Sequence, residues 1–515
     1  MPFDALHQIL FWPLEISSKE RISGNYLADW AGKIHEDSAY AWQKLDPYDR
    51  GTTDKAELRY SEFVYFHPFV QGFLYPSESG EEMPLQHLQI LKRTDVSHVR
   101  VKLSGVDEEE ILKVDRIHLY LFPTQVAILV VEVRSLHPFD RRTTLQFLDQ
   151  FRRAYGPYWS GGKAGNCPEK VEWLNSTENS YQPIGKASDF DRFDLQRRPV
   201  ENAAWRRPPV AAHWNFLLQG LKPSVPFGVR KQDDLYFDQI EDDRIPCMQF
   251  LANPSPHEIT DADMVRLCFL DSASDDASAY PYSPGFLGDF PQRYSYDRYW
   301  DRKDPQNSWM ATRYLCCGYS FTMLGASGNN FYRNEEWGLL SHFRHHYFQL
   351  GLLAHFHRAS LLRFSSRFSL AIQQKADMRD LNRDFATFVT GYWFNEVSNQ
   401  LQGREIFDFW SERLNNQKLF DHVSAEKRLA AELQTAQEMT NDGKRVKKLT
   451  VQLTMLTCLL VPLTLFAVVV AFLDMDFIRT HIESWKPDLW AYLILAFMVL
   501  FGGGVGYLIK VKRAD

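Results

Sequence analysis

The sequence predicts an α+β cytoplasmic domain with long stalk helices and two C-terminal transmembrane helices. Three observations carry this expectation. Two uncharged apolar segments, Met455–Leu473 and Leu489–Ile509, lie near the C-terminal end and contain 19 and 21 residues. At about 1.5 Å of rise per residue each reaches roughly 30 Å, the thickness of a bilayer's hydrocarbon core. Between Leu85 and Arg134, short apolar runs rich in β-branched residues alternate with turn residues, the pattern of a mostly antiparallel sheet. From Glu335 to Met439, apolar residues recur at steps of three and four, the spacing of helices.

Residues 1–60 show no clear period. Met1–Ser18 has an apolar patch at Ile9–Leu14 but no basic stretch before it, so no signal peptide is expected. The run YSEFVYFHPFVQGFL, Tyr60–Leu74, is expected as a strand that Pro68 ends or confines to an edge. Further strands are expected over Leu85–Leu91, Val96–Leu103, Ile111–Phe122 and Gln125–Arg134, the last two joined as a hairpin by Pro123–Thr124. Thr143–Tyr155 spaces Leu145, Phe147, Leu148 and Phe151 as a helix does. Gly156–Pro209, rich in Gly, Pro, Asn, Ser and Asp, predicts a long loop or insertion. Ile245–Phe250 and Met264–Leu270 predict short strands, and Asp271–Asn307 an irregular aromatic surface insertion.

Helical spacing covers Glu335–Gln374, Asp377–Gln402, Gly403–Leu414 and Ser424–Met439. The last of these is expected to continue through Gly443 into the first apolar segment, at a local cost of about 1 kcal/mol for the glycine. The expected division is a cytoplasmic domain over 1–335 with a large irregular insertion around 156–308, and a helical stalk region over 336–448. A first transmembrane helix follows over 449–473, an external loop over 474–488, a second transmembrane helix over 489–511, and a cytoplasmic tail over 512–515.

Lys444, Arg445, Lys447 and Lys448 precede the first apolar segment, and Lys510, Lys512 and Arg513 follow the second. The loop between them carries Asp474, Asp476, Glu483 and Asp488 against Arg479 and Lys486. Positive flanks remain on the cytoplasmic side, which places both termini inside and the loop outside. The expected location is a bacterial inner (plasma) membrane, with the lipid bilayer as a partner. The formal net charge of −7 gives no whole-chain signal for nucleic acid.

The candidate chemistry is sparse. Cys167, Cys247, Cys268, Cys316, Cys317 and Cys458 form no CxxC pair, and the adjacent Cys316 and Cys317 are poorly placed to chelate a metal. His342, His345 and His346, followed by His355 and His357, allow transition-metal binding on a helix face or packing among Phe and Tyr. Asp377, Asp380 and Asp384 are spaced to form a regulatory cation site or to pair with Arg379 and Arg383. Gly161–Gly162–Lys163 lacks the full phosphate-loop frame. No serine, cysteine or paired-carboxylate arrangement supports catalysis, so the chain is expected not to be an enzyme and to hold no resident cofactor.

The order of charged helix, basic collar, proline-containing span, short loop, second span and basic tail resembles the CorA superfamily of divalent metal ion transporters. The local likeness lies in LTVQLTMLTCLLVPLTLFAVVVAFLDMDF, Leu449–Phe477, whose Pro462–Leu463–Thr464 is similar to that family's PLT in its first span. Motif likeness covers about residues 445–513; the layout of an α/β unit followed by stalk helices covers more. The family's Gly-Met-Asn signature is absent. A gapless alignment from Pro462 puts Ala471–Phe472–Leu473 in its place, and three added residues put Asp474–Met475–Asp476 there.

The resemblance implies a homo-oligomer, a pentamer in that family, whose first span lines an axial pore for a divalent cation, Mg2+ or Zn2+, as transported substrate. Carried through the PLT anchor, the lining stripe is Thr450, Leu453, Thr457, Val461, Thr464 and Val468. The steps of 3, 4, 4, 3 and 4 keep these on one helix face. Thr457 and Thr464 would offer hydroxyls to a hydrated ion, and Leu453 and Val461 an apolar constriction. The threonine hydroxyls have the alternative of bonding back to their own helix. Asp474, Met475 and Asp476 would form the external selectivity loop, with a carboxylate ring in place of asparagine amides. Pro462 frees the carbonyl of Cys458, and the Gly502/Gly506 spacing permits close helix packing. A non-transporting, membrane-anchored CorA-like scaffold or sensor is the alternative expectation.

Overall fold

The computed structural model describes residues 2–19, 26–45, 60–75, 88–160, 163–177, 180–189, 210–224, 233–272, 282–305, 307–374 and 378–473, with isolated positions 492, 495, 496 and 499. The protein is α+β with a mixed sheet. Its contacts group into two units, Met1–Lys427 and Arg428–Asp515.

The first unit is built on one large sheet. Its path runs Ser180–Asp189, Lys170–Thr177, His98–Lys102, Glu109–Leu121, Val126–Ser135, Ala5–Ser18, Cys247–Asn253, Ser320–Ala326, Ala311–Cys316 and Ser295–Trp300. Neighbours along this path are antiparallel except Cys247–Asn253 beside Ser320–Ala326, which is parallel. The expected hairpin is present: Leu121 pairs with Ala127 across a turn in which Gln125 takes a left-handed φ of 59°.

The central strand, Ala5–Ser18, lies in the stretch where the sequence shows no period. It is buried on both faces, so its apolar residues do not alternate with polar ones. Pro13 sits inside it, where a ladder would lose a donor. The lost donor falls at a change of partner. Ala5–Leu10 pair with Cys247–Ala252, Leu14–Ser18 pair with Leu235–Gln239, and residues 11–13 lie between the two ladders. Phe11 donates to the Pro246 carbonyl on that side, so the amide that Pro13 lacks would have faced the same gap.

Helices cover both sheet faces. Phe348–Gln374 lies against Ala5–Ser18 and Val126–Ser135 and packs on Leu401–Arg413. Phe11 stacks on Phe348 with centroids 5.6 Å apart, and Trp410 stacks on Phe321 at 4.7 Å. On the other face Leu10, Trp12 and Leu14 join a core with Trp30, Phe147, Phe151 and Trp214, from the helices Tyr26–Asp37, Arg141–Gln150 and Ala212–Leu217 and the turn after the second of them.

Several expectations give way to the fold. Tyr60–Leu74 is not a strand but two helical segments, Tyr60–Phe63 and Pro68–Leu74. Pro68 starts the second, where a missing amide costs nothing, and Val70, Phe73 and Leu74 are buried at helical spacing. Met264–Leu270 is likewise not a strand; it belongs to the helix Asp261–Phe269, capped by Thr260, whose side chain accepts from the Asp263 amide. Gly156–Pro209 is not simply a loop, because Lys170–Thr177 and Ser180–Asp189 form a hairpin that pairs with His98–Lys102. Asp271–Asn307 contains the helix Pro284–Tyr294 and the sheet strand Ser295–Trp300.

Within the region expected as a stalk, Phe348–Gln374, Arg379–Gly391 and Leu401–Arg413 belong to the first unit. One helix of 58 residues, Asn416–Leu473, then runs unbroken through Gly443 and Pro462.

Candidate functional site

The helix Asn416–Leu473 carries the apolar candidate site. Its stretch Asp442–Leu465 has a mean hydropathy of 1.5 and none of it is buried within the chain. A core helix of a soluble domain would be covered. Lys444, Arg445, Lys447 and Lys448 are exposed at its start, ahead of the uncharged residues from Leu449. Leu453, Val461 and Val468 are exposed, as are Leu449, Leu456, Leu460 and Leu463 on the adjoining face. At about 100° per residue, Thr450, Leu453, Thr457, Val461, Thr464 and Val468 fall within an arc of roughly 80°.

The threonine hydroxyls on this stripe bond back to their own helix. Thr450 donates to the Val446 carbonyl at 2.9 Å, Thr457 to Leu453 at 2.9 Å and Thr464 to Val461 at 2.9 Å. Each donation uses the hydroxyl proton and leaves oxygen lone pairs directed away from the helix axis. Pro462 lies inside the helix, so the carbonyl of Cys458 has no amide partner four residues on. Asp474, Met475, Asp476, Gly502, Gly506 and Asp377 lie outside the described residues, as does most of the second apolar segment.

Asp380 and Asp384 share the helix Arg379–Gly391. Asp380 pairs with Arg383 at 2.8 Å. Burial raises the Asp384 carboxyl above its ordinary range, against the opposing pull of Arg363 and Arg383. Both carboxylates therefore sit among arginines, which favours ion pairing over cation binding.

The histidines are packed in the body. His355 lies between Phe11 and Trp410, at 5.3 and 5.7 Å between centroids, and His357 meets the Tyr392 carbonyl at 2.9 Å. His342 and His346 meet edge to face at 4.9 Å. His345 faces the buried carboxylate of Glu62 at 3.1 Å, and Gln349 and Tyr75 also donate to Glu62. Burial lowers His342 and His357 to about 4 and His355 to about 3, so these rings are neutral.

A second polar cluster has no counterpart in the sequence reading. His7, Asp115 and Glu132 place one ligating atom each within 4.8 Å of one another. Arg116 and Arg344 meet Glu132 at 2.9 and 2.5 Å, and Arg134 meets Asp115 at 3.1 Å. Against its own burial, Glu132 is held down to about 2, chiefly by Arg116 and then Arg344. Three guanidinium charges facing two carboxylates leave a divalent cation in a net positive surround, so this cluster serves as an ion-pair network. Its members come from the strand Ala5–Ser18, the hairpin of Glu109–Leu121 with Val126–Ser135 and the helical segment Phe343–Tyr347, far apart in the chain, and no local spacing announces them.

No protein-family model, curated protein or solved structure matches this chain.

Proposed function

We propose that this chain is a membrane-anchored, self-associating protein of the CorA-like kind that passes a divalent cation, Mg2+ or Zn2+, along its long helix. The observation that supports this most is the unburied stretch Asp442–Leu465 of one continuous helix, in which an exposed basic collar at Lys444, Arg445, Lys447 and Lys448 leads into uncharged residues from Leu449 onward. Such a surface requires lipid, other copies of the chain, or both. The Thr/Leu/Val stripe gives the copies a mixed face on which hydroxyl oxygens alternate with apolar rings. In this proposal both apolar segments span the membrane, both termini are cytoplasmic, the ion is substrate, and the chain is not an enzyme and does not bind nucleic acid.

The test is flux into liposomes carrying the full chain, with Mg2+, Zn2+, Co2+ and Ni2+ as probes. Flux of at least one ion is expected, and Thr457→Val with Thr464→Val should lower it several-fold while leaving membrane association intact. Silence for every ion, across internal metal concentrations and pH, would sink the transport reading.

A second reading, a non-transporting anchored scaffold or sensor, is supported by the body itself. Residues 1–427 build a unit with cavities of its own, including one of about 390 Å3. Retention in the membrane after alkaline carbonate extraction, without flux, would favour it.

A further inference from the structure

Tryptophan occurs in two settings in this fold. Trp42, Trp173, Trp214 and Trp410 are buried, and each donates its indole N–H to a backbone carbonyl, at 3.1, 2.8, 2.8 and 2.9 Å. Trp309 and Trp337 are 61% and 55% exposed, and neither indole N–H has a partner among the described residues. A large aromatic ring left in water with its donor unused marks a contact surface.

The two rings belong to one strip. Trp309 lies just before the strand Ala311–Cys316 and Phe331 just after Ser320–Ala326, and the antiparallel pairing of these strands brings those ends together. The half-buried Phe331 has its ring centroid 5.5 Å from Trp309 and 5.8 Å from Trp337, at interplanar angles of 34° and 36°. Asparagines fix the backbone beneath all three rings. The amides of Trp309, Phe331 and Trp337 donate to Oδ1 of Asn307, Asn329 and Asn334 at 3.1, 2.9 and 2.8 Å. Nδ2 of Asn329 donates to the Ser308 carbonyl at 3.0 Å and ties two of the segments together. The strip is held before a ligand arrives, which lowers the ordering cost of binding.

Its chemistry narrows the ligand. Arg333 and Glu336 are exposed and opposite in charge, and Glu335 is held by Arg134 at 3.3 Å and Arg344 at 3.8 Å, so the strip has no excess charge to recruit a polyion. The asparagine carbonyls, which could receive a sugar's hydroxyl protons, already accept backbone amides. Aromatic faces and two N–H donors remain, and they complement a chain with apolar faces and bare carbonyls. A polyproline II helix is such a chain: it has no internal hydrogen bonds, its prolines bring no N–H, and their fixed φ reduces the entropy lost on docking.

We propose that Trp309, Phe331 and Trp337 form a docking strip for a proline-rich segment of a partner protein. Proline rings stack on the aromatic faces, and the segment's carbonyls accept from Nε1 of Trp309 and Trp337. The strip reaches at most about 11 Å between the two tryptophan rings, and at about 3.1 Å of rise per residue roughly one turn of the segment lies along it.

The test titrates the full chain in detergent against fluorescein-labelled decaproline, with a labelled glycine–serine decamer, decalysine and maltohexaose as comparison probes, read by fluorescence polarisation. Decaproline should bind at least roughly tenfold more tightly than each of the others. Trp309→Ala and Trp337→Ala should each weaken it about tenfold while leaving the thermal midpoint unchanged. Trp309→Phe combined with Trp337→Phe keeps the ring faces, removes both donors and should weaken binding a few-fold; where an alanine variant loses the fold, this pair carries the test. No preference for decaproline over the glycine–serine decamer, or an affinity that neither alanine alters, overturns the proposal. Tighter binding of decalysine or maltohexaose overturns the choice of ligand, and full affinity in the double phenylalanine variant overturns the role of the indole donors.

Discussion

Glu132 is 1% exposed and joins two guanidinium groups, so its charge matters more than its volume. Glu132→Gln leaves the half-buried Arg116 and Arg344 without their closest counter-charge and is expected to cost about 2–3 kcal/mol in denaturant unfolding. A loss under 1 kcal/mol would show that the network tolerates a neutral centre. The carboxylate's pKa is depressed in the fold, so its stabilisation is full above the unfolded value near 4.5 and fades as pH falls towards about 2. The buried histidines act higher on the scale. His7, His213 and His355 are lowered to about 3, and His342 and His357 to about 4, from 6.5. Each folded pKa is depressed, so the neutral ring is favoured fully above 6.5 and stability drains as pH falls below that value. Unfolding should therefore become easier from about pH 6.5 downward, well before Glu132 titrates. His355→Phe, at a ring packed between Phe11 and Trp410, is expected to spare about 2 kcal/mol of the loss between pH 7 and pH 5. An acid limb identical to that of the unaltered chain would contradict this.

At the scale of elements, one substitution has opposite signs on two helices. Gly351 lies on Phe348–Gln374, and an added Cβ would meet the Trp410 ring at 2.4 Å. Gly351→Ala should destabilise by about 1–3 kcal/mol through overpacking, seen as a lower midpoint in chemical denaturation. Gly443 lies on Asn416–Leu473 with nothing within 4 Å of a Cβ. Gly443→Ala should instead firm that helix by about 1 kcal/mol, measured as slower amide exchange around residues 440–447. Equal exchange in the two proteins would mean that neighbouring copies or lipid already hold the segment. The elements also show which signals a sequence carries. The hairpin at Pro123–Thr124 was legible because turn residues and alternation agree there. The helices at Pro68–Leu74 and Asp261–Phe269 were not, because short apolar runs fit either period and only their caps and packing partners decide.

For the whole molecule, the apolar stretch behind the basic collar sets the expected behaviour: the full chain should stay with membranes through alkaline carbonate extraction and leave them in detergent. Release by carbonate alone would refute the anchor. The sequence by itself determined the apolar C-terminal segment, its charged flanks, the antiparallel core around 98–134 and the helical character after 335, since these rest on local composition and period. Only the tertiary structure decided that Ala5–Ser18 is the central strand, that the region around 156–308 adds strands to the same sheet, and that His7, Asp115 and Glu132 meet in one polar cluster. Those features join residues that are not neighbours in the chain, in the central strand's case more than two hundred positions apart. A strand buried on both faces shows no alternation, and a polar cluster assembled across the sheet leaves no spacing in the chain, so burial and long-range pairing settle what local pattern cannot.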